Sequence, residues 1–257
     1  GTNVVGDMVG EQTTRGSIGQ SYATGAVDGT NYVGGLVGQQ FGSIDRTYAT
    51  GVVDGTNYVG GLVGRQFGES IGHSYASGAV TGASRVGGLV GWQSGGSITQ
   101  SYATGAVMGN IDVGGLIGRR DGAGAVSATF WDVDTTDQAL GVGTGSDTGV
   151  FSVQSSNPAG ADYAFNQAPY TAQGWDFATD WYLIDGETRP FGRWEHATTI
   201  VNAHQLQLMT VDLTADYVLA ADIDLGTALA QPGGMWTERG FVPIGDNSTN
   251  SAASRFT

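Results

Sequence analysis

Four sets of side chains in this sequence have types and spacings that could carry chemistry. G-E-S-I-G at residues 68–72 has the G-x-S-x-G spacing that exposes a serine nucleophile on a strand-to-helix turn. Asp132, Asp134 and Asp137 form D-x-D-x-x-D, a spacing whose oxygens can wrap a Ca²⁺ ion. Asp28 and Asp54 recur at equivalent places in two repeats. A carboxyl pair roughly 5–9.5 Å apart could hydrolyse glycosidic bonds. His73, His196 and His204 could serve as acid–base or metal-binding groups.

Each set also has a plainer reading. Ser70 takes the slot of Ser43 and Ser97, so the serine motif is a by-product of a repeat. No histidine sits in H-E-x-x-H, which removes the zinc-peptidase pattern. The acidic run lacks the glycine and glutamate of an EF-hand, having Asp137 and Gly143 at those positions. Turn and N-cap roles are expected for it, with Ca²⁺ the one cofactor the spacing admits. Asp28 and Asp54 lie in a glycine turn and give way to Thr81 and Met108, as solvated turn residues would. No catalytic residue is expected, and the chain is expected not to be an enzyme.

Composition narrows the classes further. The 257 residues include 24 acidic and 10 basic side chains, a net charge of −14, and every basic residue is Arg. Nucleic-acid binding needs a positive footprint, and anionic membranes attract basic clusters, so neither partner is expected. Without Cys or Lys there is no disulfide, thiolate, Schiff base or P-loop lysine. No apolar run approaches the roughly 18 residues of a membrane span. Residue 1 falls inside a repeat, so the chain reads as an internal piece of a longer protein.

The repeat is the dominant signal. S-Y-A-T-G-A-V and V-G-G-L-V-G alternate, with Tyr22, Tyr48, Tyr75 and Tyr102 spaced by 26, 27 and 27. A degraded copy opens the chain, and Val126, Thr129 and Phe130 begin a fading one. Short strand-like runs at this period predict an all-β parallel β-solenoid with coils of about 27 residues. Stacked coils turn constant positions into ladders. Ile18, Ile44, Ile71 and Ile98 form one; Val27, Val33 and Leu36 each begin another, and Ala23, Ala49, Ala76 and Ala103 mark a narrow part of the coil. Gly29, Gly55, Gly82 and Gly109 are expected to turn the chain through positive φ. The tyrosines could face in or out, since both parities of their strand repeat.

Positions that vary between copies stack as well. Gln39, Arg65, Trp92 and Arg119 align, predicting an Arg–Trp–Arg cation–π stack. Tyr32, Tyr58, Arg85 and Asp112 align, allowing Tyr–Arg stacking and an Arg85–Asp112 pair. Gln40, Gln66 and Gln93 align as a surface amide ladder. These rows stabilise the coil stack, and the aromatic and arginine rows also offer a strip for a glycan or protein. Between the V-G-G-L-V-G run and the isoleucine ladder the copies differ in length, which places a solvent loop there.

Past Trp131 the pattern breaks. Trp175, Phe177, Trp181, Tyr182, Phe191 and Trp194 are too apolar for a linker and are expected to cover the solenoid side, ending near Pro190. Asn202 and Gln205 have capping-box spacing, and Leu206, Met209 and Leu213 share a face, predicting a short helix near residues 203–213. Residues 217–225 read as a strand, and residues 232–245 as a loop followed by a strand.

V-G-G-L-V-G every 27 residues or so, with S-Y-A-T-G between, resembles the GLUG repeats of large bacterial surface exoproteins, the filamentous-haemagglutinin-like adhesins. F-W-D at Phe130, G-W-D-F at Gly174 and T-R-P-F at Thr188 resemble a segment that closes a module. Y-V-L-A-A-D-I-D-L and F-V-P-I-G resemble the start of the next. The resemblance implies a right-handed parallel β-helix divided into repeat coils (1–128), a terminating segment (129–195) and a truncated following module (196–257). It implies a secreted or cell-surface adhesive stalk that meets a host or neighbouring-cell glycan or protein, adjoining modules of its own chain, or end-to-end copies. A polysaccharide-active β-helix enzyme and a self-assembling filament subunit are the alternatives.

Overall fold

The structure, a computed structural model, describes residues 3–122 and 124–245. The repeats form a parallel β-solenoid with four walls. In one coil these walls are Val27–Asp28, Asn31–Gly34, Val37–Gln40 and Ser43–Ala49. Each residue pairs in parallel with its equivalent one coil away, as in Val33↔Val59, Val63↔Val90 and Tyr75↔Tyr102. The letter repeat and the contact repeat are therefore the same thing.

The coil interior holds two apolar columns. Leu36, Val37, Ile44, Ala49 and their equivalents fill one. The Val27 and Val33 series fill the other. Leu36, Leu62, Leu89, Ile44, Ile71, Val59 and Val86 have no exposed surface. Each such burial contributes roughly 1.5–3 kcal/mol. The alanine ladder lies where the coil is narrowest: a Cβ on Gly61 or Gly88 would meet the Ala76 or Ala103 methyl at 2.9 Å.

The glycines do a different job from the one expected. Gly55 is not in the left-handed region; a Cβ on it would press on Val59 Cγ2 at 2.7 Å and Val33 Cγ2 at 2.9 Å. It is small to let the turn sit on the valine column. Positive φ falls instead on Tyr32, Tyr58, Arg85 and Asp112 in one row, and on Gln20, Arg46, His73, Gln100 and Ala128 in a second. A left-handed residue with a Cβ costs about 1–2 kcal/mol.

The glutamine row is a second correction. Gln40, Gln66 and Gln93 are fully buried. Gln66 Nε2 donates to Glu69 O at 2.9 Å and Ser97 O at 3.0 Å, and Gln40 Nε2 donates to Gly42 O. A corner of varying length leaves carbonyls pointing inward, and a buried carbonyl needs a donor. The amide supplies it, to its own coil and to the next.

At the C-terminal end of the stack Trp131 takes the place of the alanine ladder, paired with Ala103, and closes the interior column. A one-turn helix, Val133–Thr136, follows. Val142–Thr144 and Val150–Val153 then add to two walls. The remaining chain runs back along the tyrosine wall. Tyr48, Tyr75, Tyr102 and Phe130 point out of the coil into a second core with Tyr170, Trp175, Trp181, Phe191, Leu208, Met235 and Trp236. The cover therefore does not stop near Pro190. Leu208 and Met235, beyond it, are as buried as Trp181.

The expected helix is six residues, Ala203–Leu208, continued by a 3₁₀ turn at Met209–Val211. Asn202 caps it by accepting from Gln205 N, while Gln205 Oε1 accepts from Val201 N instead of closing the box. Only Val218–Leu219 of the expected strand is extended, parallel to Thr199–Ile200. Leu225–Ala230 is helical because Asp224 caps it, accepting from Thr227 N. Residues 241–245 form no strand, and residues 246–257 of the expected following module lie outside the described residues. No helix among the described residues is long and apolar enough to cross a membrane.

Candidate functional site: an aromatic and arginine strip

The strip is built from two neighbouring walls. In Val37–Gln40 the residue two past the buried valine faces outward, which aims Gln39, Arg65, Trp92 and Arg119 at solvent, in register. In the preceding wall the left-handed residue throws its side chain outward, and this slot holds Tyr32, Tyr58, Arg85 and Asp112. Large side chains at a strained backbone position point to a role beyond turning the chain.

The two rows and a third merge into one surface. Tyr32 and Tyr58 stack with centroids 4.6 Å apart, and Tyr58 stacks on Trp92 at 5.3 Å. Phe41 and Phe67 stack at 4.5 Å. The Arg65 guanidinium lies between Phe67, 3.4 Å from its ring centroid, and Trp92, 3.7 Å away. Arg85 sits over Tyr58 at 4.8 Å. Such contacts contribute about 0.5–1 kcal/mol each when exposed and more when desolvated.

The expected Arg–Trp–Arg stack is half present. Arg65 stacks on Trp92, but Arg119 turns to carboxylates, donating from Nε to Asp121 Oδ2 at 2.8 Å and from Nη1 to Asp112 Oδ2 at 3.4 Å. Trp92 Nε1 donates to the same Asp121 oxygen at 3.0 Å. Arg119 holds the Asp121 carboxyl below its ordinary pKa. The expected Arg85–Asp112 pair is long, 4.0 Å, because Arg85 lies on Tyr58. Gln39 stands between Glu11 and Arg65 in the wall and stacks on no ring. Phe41, Phe67 and Asp121 were not singled out from sequence. Each directly follows an aligned Gln40, Gln66 or Arg120 but stands at the start of the corner whose length varies, where the alignment gives out.

The other sequence candidates go elsewhere. Ser70 opens an ordinary strand, paired with Ser97. Asp28 and Asp54 pair across adjacent coils with exposed side chains. Asp132, Asp134 and Asp137 do not converge. Asp132 caps the short helix and forms a fully buried ion pair with Arg189 at 2.6 Å. Asp134 accepts from Ser155 N and Ser156 N, and Asp137 is the left-handed C-cap. Among the described residues no three His, Cys, Asp or Glu side chains are grouped to hold a metal ion. The N-cap and turn roles expected for these carboxylates are the ones they fill.

Histidines and carboxylates instead fasten the cover. Tyr75 donates to Glu195, and His204 Nδ1 lies 2.7 Å from Glu195 Oε2. His73 Nδ1 lies 2.9 Å from Asp45 Oδ1, beside an Arg46–Asp180 pair that joins solenoid to cover. His196 meets the Tyr217 hydroxyl at 2.8 Å. A cleft of about 850 Å³ opens beside Tyr48, Val52, His204 and Trp236.

Comparison with known proteins places the repeats. Residues 55–81 and 82–108 match the family model described as the GLUG motif. No curated protein matches the chain. Among solved structures, the crystal structure of a candidate immunoglobulin A1 protease from Bacteroides ovatus is similar, with 22% identity and a TM-score of 0.38. That likeness covers 49% of this chain and 48% of the other, about half the length of each.

Proposed function

We propose that the chain is a non-catalytic, adhesive stalk segment of a larger bacterial surface exoprotein of the filamentous-haemagglutinin-like kind. GLUG repeats and a parallel β-solenoid fit an extracellular structural repeat protein. In-register ladders make a stiff rod, since each coil is held by backbone hydrogen bonds to both neighbours. The observation that carries the adhesive role is the strip: Tyr32, Tyr58, Arg65, Arg85 and Trp92 contact one another and receive no cover from the described residues. The equally aromatic tyrosine wall does receive one. Repeated weak contacts along such a rod gain strength through avidity.

Buried carboxylates support the non-catalytic reading. Asp132 is committed to Arg189, and Glu195 to Tyr75, His204 and Gly192 N. The experiment is adhesion of the immobilised chain to arrays of host and bacterial glycans and proteins, with Trp92→Ala and Arg65→Ala beside it. Binding that both variants lose is the expected result. Equal binding by both variants would move the contact off the strip, and no binding to any surface would end the adhesive reading.

A further inference from the structure

We infer that Arg65 and the rings around it form a binding site for a carboxylate-bearing sugar, a uronic acid residue within an acidic polysaccharide. The proposal rests on the reading of the strip as the adhesive face and adds the chemistry of its ligand.

Charge balance singles out Arg65. The strip holds three arginines, Arg65, Arg85 and Arg119, and two aspartates, Asp112 and Asp121. Both aspartates are taken up by Arg119, and Asp112 also faces Arg85. Arg65 forms no ion pair among the described residues, in a chain with 24 acidic and 10 basic side chains. Its Nε is buried without a hydrogen-bond partner, as is that of Arg85, and the Tyr32 hydroxyl lies within hydrogen-bonding reach of the guanidinium. A guanidinium that no carboxylate among the described residues neutralises is complementary to an anion brought from outside.

Geometry narrows the anion to a planar or tetrahedral oxyanion, and the ring platform beside it favours one carried on a sugar. Phe67 and Trp92 hold the guanidinium between their rings, so its planar fork is positioned in advance. A fork of parallel N–H donors matches a carboxylate through two hydrogen bonds. Beside it, 5.8 Å from Arg65 to the ring centroid, lies Tyr32, stacked on Tyr58. Such a platform accepts the C–H face of a pyranose ring, which is apolar while its edge is polar. Coils lie about 4.8 Å apart, close to the length of one pyranose residue, so sugars along a chain meet successive coils. A neutral glycan would leave Arg65 unanswered.

Calorimetric titration of the whole chain tests this, with oligogalacturonate, the same oligosaccharide after carboxyl reduction, and oligoglutamate as probes. Oligogalacturonate is expected to bind. Carboxyl reduction and Arg65→Gln are each expected to weaken it roughly tenfold or more, the size of one charge-assisted contact. Arg65→Lys, which keeps the charge and loses the fork, should fall between. Unchanged thermal melting of both variants shows that the fold is intact. Equal binding of the carboxyl-reduced sugar would overturn the proposal and leave a neutral-sugar strip. Equal binding of oligoglutamate would overturn the sugar and leave an acidic-protein strip. Loss of array adhesion in Trp92→Ala with no binding of oligogalacturonate would overturn the proposal alone. Failure of both assays would overturn the adhesive reading with it.

Discussion

Two aromatic ladders run along this solenoid, and they have met opposite fates. Tyr48, Tyr75 and Tyr102 stack with centroids 4.8–5.1 Å apart. Tyr32, Tyr58 and Trp92 stack at 4.6 and 5.3 Å. The first ladder is sealed under the chain's own tryptophans, and its hydroxyls are claimed: Tyr75 by Glu195, Tyr102 by Pro190 O. Tyr22, where the cover gives out, is 41% exposed. Among the described residues the second ladder has only its own neighbours in the strip. Stacking along a solenoid is therefore no mark of a binding face by itself. A covered ladder is a core, and an open one is a surface to be used.

That contrast can be broken by mutation, beginning at the covered side. Asp132→Asn or Arg189→Met should cost about 3–5 kcal/mol, because each leaves an uncompensated charge in a fully buried pair. Trp181→Ala, at a site with no exposed surface, should cost a similar 3–5 kcal/mol. Denaturant titration measures both, and losses below about 1 kcal/mol would mean that the cover is loosely held. The strip is expected to behave in the opposite way.

Alkaline pH sharpens the comparison without mutation. Burial raises the Tyr48, Tyr75 and Tyr102 phenols well above their ordinary 10.0, with Glu195 adding to the effect. Their stabilisation is complete below pH 10 and is lost as pH rises through the folded-state values, because the unfolded chain gives up those protons first. Tyrosinate absorbance for these residues should appear together with loss of the fold. If they ionised in a chain still folded by circular dichroism, the seal would be incomplete.

Smaller effects belong to the left-handed rows. Ala128→Gly, at φ 51°, should stabilise by up to about 1 kcal/mol, since glycine adopts that conformation without a Cβ clash. A destabilised variant would show that the methyl packs usefully against the cover. Trp92→Ala should be the mildest in stability, about 1 kcal/mol or less, because what it loses is half-exposed stacking.

Much of the solenoid was legible because parallel in-register pairing makes one letter pattern do for every coil. Ile44 above Ile71 in the sequence is Ile44 beside Ile71 in the wall. What was illegible has physical causes. Tyrosine direction could not be read, since the inward and outward parities of that strand repeat equally well. Gln40 looked like surface because amides generally are, yet a loop's inward carbonyls drew it into the interior. Gly55 looked like a φ residue, but the valines beneath require its smallness, and the left-handed turn fell to Tyr58 three residues on. The cover left only composition to go by. Nothing periodic links Glu195 to Tyr75, or Arg189 to Asp132. Of the strip, Arg65 on Trp92 was legible from the alignment. Phe67, which completes the clamp, and Asp121, which draws Arg119 away, were not, because they stand in the variable corner.

The most direct test of the open-ladder account is the affinity of Trp92→Ala for oligogalacturonate, measured beside its melting curve. Removing one wall of the Arg65 clamp should abolish measurable binding and leave the melting temperature within a few degrees of the parent. Parent-like affinity in a variant lacking the Trp92 ring would contradict the account, because the strip would then be one more ladder that only holds its coils together.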